Sequence, residues 1–176
     1  MLLAGYIFVG VFVGIIISVI FVKAYNTDNK FKTDYDERQE AIRGRGYKYA
    51  AYTAWALLGL LCCFKIAKID LHMDDAMIAF SILVISLLVQ TVHAVMNDAY
   101  FGSNNNRRKY LIFCVVIGAI NIAAAVSRYV AGEMIVDGTL TWRGINGLCG
   151  LMFVVLGIAL GIKNFISKKE DDEEDE

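Results

Sequence analysis

Apolar residues in this chain do not alternate with polar ones at the periods of a soluble fold; they run in long blocks separated by short polar breaks. A helix needs about 20 such residues to cross the hydrocarbon core of a bilayer. The blocks that approach this length lie at 2–22, 49–67, 76–96, 111–130 and 145–162. The second and fifth are slightly short, and are extended by Lys48, Lys65 and Lys163, whose stems reach back to the interface. The pattern predicts an all-α fold: a polytopic membrane helical bundle of five transmembrane helices in one domain, residues 1–166. A polar loop occupies 23–48. The acidic tail, 167–176, is expected to be disordered because its like charges repel. The first block has no basic flank and no small-x-small cleavage site after it, so it is expected to stay attached rather than be removed as a signal peptide.

Composition supports the bilayer and charge gives a direction. Hydrophobic residues make up 57% of the chain and charged ones 20%, and proline is absent, so straight helices are expected. Of the 17 lysines and arginines, all but Lys65, Lys68, Arg128 and Arg143 fall in the first loop, the third loop and the C-terminal segment. Basic loops stay on the cytoplasmic side, which predicts an N-out, C-in, multi-pass protein of the plasma membrane. On the outer side, EMIVDGTLTW, residues 133–142, flanks Asp137-Gly138 with β-forming residues. That is either a small type I′ hairpin or an irregular loop with Trp142 at the lipid interface.

The first loop carries the most distinctive local signals. Asp34 with Glu37 fits a helix N-cap, Glu40 can pair with Arg43 on one face, and a short helix is expected before the second span, loosened at Gly44 and Gly46. Arg43, Arg45 and Lys48 stand among Tyr47, Tyr49 and Tyr52, a composition suited to an anionic inner leaflet. Membrane lipids are thus an expected partner, beside the plainer reading that the cluster only anchors topology. The glycines match neither a Rossmann nor a P-loop signature. DERQEAIRGRGYKYA, residues 36–50, resembles the DERQ-type segment found just before a transmembrane helix in uncharacterised small integral membrane proteins of Gram-positive bacteria, with Arg45 where lysine is often expected. The resemblance implies a bacterial plasma-membrane setting, and brings no activity, cofactor or site residue with it.

Helices associate in lipid through small residues and polar contacts rather than through hydrophobic drive. Gly10, Gly14 and Ser18 mark such a face on the first span. Cys114, Gly118, Asn121, Ala125 and Arg128 mark one on the fourth, and Gly147, Gly150, Val154, Gly157 and Gly161 one on the fifth. These faces predict helix packing at Gly10, Gly14, Gly150, Gly157 and Gly161, and their excess predicts a homo-oligomer or a membrane or cytoplasmic protein partner.

Candidate chemistry is sparse. His72 and His93 would lie about 31 Å apart on a continuous helix and on opposite sides of the bilayer, so no metal site is expected from them. The cysteines fall in apolar segments, where a thiol acts as a small hydrophobe. No H-E-x-x-H or G-x-S-x-G occurs, no cofactor is implied, and the basic residues leave no nucleic-acid footprint. What remains is one polar face: Ser86, Gln90, His93, Asn97 and Tyr100 recur at helical spacing along the third span, with Asn121 of the fourth span as the expected partner. The face is either a seam of interhelical contacts or a site centred on His93, since an imidazole changes charge near neutral pH. The functions left open are a non-enzymatic accessory, sensing or protective subunit acting through assembly, a small transporter or channel using this face, and a membrane enzyme.

Overall fold

The computed structural model describes residues 20, 21, 23, 24, 26–28 and 30–174, with side chains as far as Ile166. The first predicted span, with Gly10 and Gly14, lies almost wholly outside them. The elements are α1 (Glu37–Ile66), α2 (Asp75–Met96), α3 (Arg107–Val130), β1 (Ile135–Val136), β2 (Thr139–Leu140), a 3-10 turn (Trp142–Gly144) and α4 (Ile145–Glu174). Four segments, Glu37–Ile66, Asp75–Met96, Arg107–Val130 and Trp142–Ile166, are helical, long and apolar enough to cross a membrane. They match the second to fifth predicted spans and make the chain a multi-pass helical bundle.

Local chemistry sets the helix ends. Asp36 begins α1, accepting from Gln39 N at 2.6 Å while Gln39 Oε1 accepts from Asp36 N at 3.3 Å, a reciprocal capping box. The cap expected at Asp34 is displaced to Asp36, and the Asp34 backbone is tied to the loop after α2, its N–H donating to Asn104 Oδ1 and its carbonyl accepting from Ser103 N, each at 2.9 Å. The separate short helix expected before the second span is also absent: α1 runs unbroken through Gly44 and Gly46 for 30 residues, about 45 Å. Asp74 caps α2 and Asn106 caps α3, each through a backbone N–H three residues on. α4 continues to Glu174. No glycine or proline follows Gly161 to stop it.

The helices pack in the order α1, α2, α4, α3. α1 and α2 are antiparallel, held at one end by Lys65 Nζ to Asp75 at 3.1 Å. α2 and α4 run in the same direction, with Lys163 Nζ 2.7 Å from Asp98 at their C-terminal ends. Val95, Cys114, Leu156, Ala159 and Leu160 form the buried cluster where α2, α3 and α4 meet. The small residues of α4 divide into two groups. A Cβ on Gly150 would sit 2.7 Å from Ile122 Cγ1, so this glycine permits the close approach to α3, as expected. Gly157 and Gly161 have nothing within 4 Å among the described residues.

The Asp137-Gly138 hairpin is present. Ile135 pairs with Leu140 and Val136 with Thr139, and φ of 49° and 75° at Asp137 and Gly138 fit a type I′ turn. A hairpin this short is marginal alone, and here it is tied down. Leu140 N donates to His72 O at 2.7 Å, Asp74 N to Leu140 O at 2.9 Å and Trp142 N to the Asp74 carboxylate at 2.5 Å. Glu133 bonds Arg128 and lies 2.9 Å from Arg143.

Two outcomes are expected. Gly150→Leu should destabilise the bundle by about 1–3 kcal/mol through overpacking, whereas Gly157→Leu should leave the melting temperature of the dissociated chain unchanged; thermal unfolding in detergent measures both. The Glu133 carboxyl is held below its usual range, first by the Arg128 hydrogen bond and then by Arg143. A lowered folded-state value means the contribution is full above the ordinary carboxylate range and is lost as pH falls through the lower value. The wild-type melting temperature should drop below about pH 4 more steeply than that of Glu133→Gln.

Candidate functional site

Where α2 stops at Met96, its last carbonyls lack intrahelical partners, and Asp98 turns the chain away with φ of 57°. The chain that follows satisfies those carbonyls itself, through Asn97 Nδ2 to His93 O, Ala99 N to Ala94 O and Asp98 N to Val95 O, and the first turns of α1 supply donors to the carbonyls of the turn beyond, from Asn97 to Phe101. Gln39 Nε2 donates to Asp98 O at 2.8 Å and to Phe101 O at 3.0 Å. Arg43 Nη1 reaches Ala99 O at 3.4 Å, and Arg38 lies at the outer limit of bonding to Asn97 O, 3.5 Å. Asp36, Gln39 and Arg43 share a face at helical spacing, so one side of the DERQ segment caps α1 itself and clamps the end of α2.

The loop before α1 is joined to the loop after α2 by buried amides. Asn26 and Asn104 are 3% and 7% exposed, too buried for amides without partners. Asn26 Nδ2 donates to Lys30 O and Lys32 O at 2.8 and 3.0 Å, and its Oδ1 accepts from Asn105 Nδ2 at 2.7 Å. Asn104 Nδ2 donates to Lys32 O at 3.1 Å and to the Asp28 carboxylate at 3.2 Å. The Lys30 backbone N–H and the Asn104 amide hold Asp28 below the usual carboxylate range. Gly102 lets the two strands of chain touch: a Cβ there would collide with Asp34 O and lie 2.5 Å from Thr33 Cγ2.

Between these loops and the helices lies a partly open cavity of about 310 Å³. Among its described lining residues are Tyr35, Arg43, Tyr47, Gln90, Thr91 and Tyr100. The Arg43 guanidinium stacks 4.1 Å from the Tyr35 ring centroid and donates to the Tyr47 hydroxyl at 3.3 Å. Tyr35 donates to Tyr100 O at 3.4 Å, and the Tyr100 and Tyr110 hydroxyls bond each other. Burial pushes the Tyr100 phenol up to about 12, so it stays protonated across the physiological range.

The polar face of α2 is divided between several settings. Ser86 is buried and donates to Ile82 O at 2.8 Å on its own helix. Gln90 and His93 pack against Gly46 of α1, where an added Cβ would lie 3.3 Å from His93 Cδ2 and 3.4 Å from Gln90 Cγ. Tyr49 meets His93 edge-on at 4.9 Å, and His93 Nε2 is buried without a hydrogen-bond partner among the described residues. Asn97 is exposed and donates to His93 O at 2.8 Å. Tyr100 alone turns into the cavity beside Gln90. The expected pairing with Asn121 does not form: its amide donates to Ile117 O at 2.9 Å within α3. The small surface of Gly46 brings α1, rather than α3, against this face.

Of the basic cluster, Arg43 faces the cavity while Arg45 and Lys48 are exposed. Asn26, Gln39, Asn104 and Tyr35 were not singled out by sequence, although NNN at 104–106 and DERQ at 36–39 were visible signals. Among the described residues, no three His, Cys, Asp or Glu side chains come together as a metal-ligand set.

Gln39→Leu should cost about 1–2 kcal/mol, since it strips donors from carbonyls at Asp98 and Phe101. Arg38→Gln should change stability by no more than about 0.5 kcal/mol. Denaturant or thermal unfolding of the two variants checks the order. No protein-family model, curated protein or solved structure matches the chain, so its role has to be argued from its own residues.

Proposed function

We propose that the chain is a non-enzymatic protein of the bacterial plasma membrane that acts through assembly, as an accessory, sensing or protective subunit. The first span, 2–22, adds a fifth crossing, and the whole lies N-out, C-in. The observation that carries the reading is the outer face of α4. Among the described residues Gly157 and Gly161 lie open there, with Val154, Ile158 and Phe165 exposed beside them at helical spacing. Small residues facing lipid allow another helix to approach closely, and a second copy of the chain supplies such a helix. Arg45, Lys48, Tyr52 and Trp55 share an exposed face of α1. Cations followed by aromatic rings suit the anionic inner leaflet.

A transporter or channel is the second reading, favoured by the reach of the cavity to Gln90, about 9 Å along α2 from Met96. Polar groups at that depth mark transport paths in many membrane proteins.

The experiments separate these readings. Native mass measurement in detergent should show an oligomer that the double variant Gly157→Leu, Gly161→Leu converts to a folded monomer, with the melting temperature of the dissociated wild-type chain. A monomeric wild type would defeat assembly with itself, and crosslinking in native membranes followed by copurification would then identify any other partner. A C-terminal phosphatase fusion should be inactive, because the enzyme works only outside the cytoplasm. Solute flux through proteoliposomes would favour the transport reading instead.

A further inference from the structure

The cavity beside Arg43 combines a charge, directed donors and an enclosed volume. Arg43 is the charged side chain among its described lining residues, accompanied by tyrosines, amides, threonines and a phenylalanine. The ion pairs among the described residues engage Lys30, Lys65, His72, Arg128, Arg143 and Lys163, and none engages Arg43. Its hydrogen bonds run to neutral acceptors at 3.3 and 3.4 Å, longer than the roughly 2.7–2.9 Å of a charge-assisted bond to an anion. The guanidinium lies 4.1 Å from the Tyr35 ring centroid and bonds Ala99 O and the Tyr47 hydroxyl, so the cation is held in place as well as unneutralised. The volume of about 310 Å³ is at the lower end of small-molecule sites, which hold about 300–1,000 Å³.

The donors approach from separate elements: Arg43 and Tyr47 from α1, Gln90 and Thr91 from α2, and Asn105 from the loop before α3. A planar carboxylate presents its oxygens in one plane, whereas a tetrahedral phosphate can accept from several sides. A single guanidinium balances a single negative charge, which favours a phosphodiester over a doubly charged phosphate monoester. We infer that the cavity binds a phosphodiester, with Arg43 as its cationic partner and Tyr47, Gln90 and Thr91 as neutral hydrogen-bonding partners. The group can come from a lipid headgroup or from a soluble glycerophosphodiester. The site stands apart from the open face of α4, so it does not depend on assembly.

The test uses the full chain purified in a maltoside detergent. It is titrated calorimetrically with glycerophosphoglycerol, and examined by native mass spectrometry with phosphatidylglycerol and with diacylglycerol, which lacks the phosphate. Saturable binding of one phosphodiester per chain is expected, with no retention of diacylglycerol. Binding of both phosphodiesters assigns recognition to the phosphate group; retention of the acylated form alone assigns it to lipid. Arg43→Gln should weaken binding about tenfold or more, as expected for a lost charge-assisted hydrogen bond. Thr91→Leu, which narrows the cavity and leaves the Arg43 contacts in place, should weaken it by a similar factor. Arg45→Gln, on the exposed side of α1, should change the affinity for soluble glycerophosphoglycerol by less than about twofold.

Absence of saturable binding in the wild type would overturn the proposal, as would equal retention of diacylglycerol. An equal loss in Arg45→Gln would reassign the effect to diffuse surface charge. If Arg43→Gln fails to fold because its contact with Ala99 is lost, folded Thr91→Leu with undiminished affinity would also overturn it. Native mass recorded on the same samples reports assembly separately.

Discussion

The carbonyls of the turn that follows α2, from Asn97 to Phe101, are the constraint around which the basic end of the molecule is arranged. A buried or half-buried carbonyl without a donor is costly, and here the solution comes from another helix. Gln39 bridges Asp98 O and Phe101 O, and Arg43 reaches Ala99 O. Those contacts fix the start of α1 against the end of α2. Gly46 then lies against Gln90 and His93, and the two helices can continue side by side to the Lys65–Asp75 pair at the far end.

The same clamp creates the cavity. Arg43 is drawn toward Ala99, and Tyr35 covers its other face. Buried amides of Asn26 and Asn104 sew the preceding loop onto the following one and keep Tyr35 in place. An arginine used in this way is partly structural and partly available. It holds a carbonyl through one weak bond while its charge remains unmatched by any carboxylate among the described residues. Such a group differs from Arg45, two positions on, whose exposed side chain serves the bilayer surface in the proposed orientation.

The two ends of the bundle are organised by different chemistry. At the hairpin end, short backbone pairing between residues 72–74 and 140 and the charges of Arg128, Glu133 and Arg143 hold the connections. At the other end, neutral amides and phenols dominate. Between them the helices rely on van der Waals contact and small residues, as at Gly150 against Ile122 and Gly118 against Phe153. The open glycines at 157 and 161 continue that stripe onto a surface with no neighbour within 4 Å among the described residues, which is where an assembly would form.

Sequence by itself determined what depends on neighbours in the chain. Apolar block length located the membrane-length segments at 75–96, 107–130 and 142–166 to within a few residues, because crossing distance is a linear count. Asp137-Gly138 marked the hairpin because positive φ at both turn positions is a local property of those residues. The start of α1 was missed because Asp34 and Asp36 are both able to cap, and the Asp34 backbone is tied to Ser103 and to Asn104, 70 residues away, while Asp36 caps the helix. Helical spacing grouped Gln90, His93 and Tyr100 on one face, but could not say which helix would cover it. That choice depended on the small surface of Gly46 and on donors at Gln39 and Arg43 meeting the end of α2. Asn121 was free to turn back to its own helix, since a polar side chain in an apolar segment needs a partner but does not specify which. The cavity was illegible for the same reason: its walls come from α1, α2, α3 and the loops before α1 and after α2, and only tertiary contact brings them around Arg43.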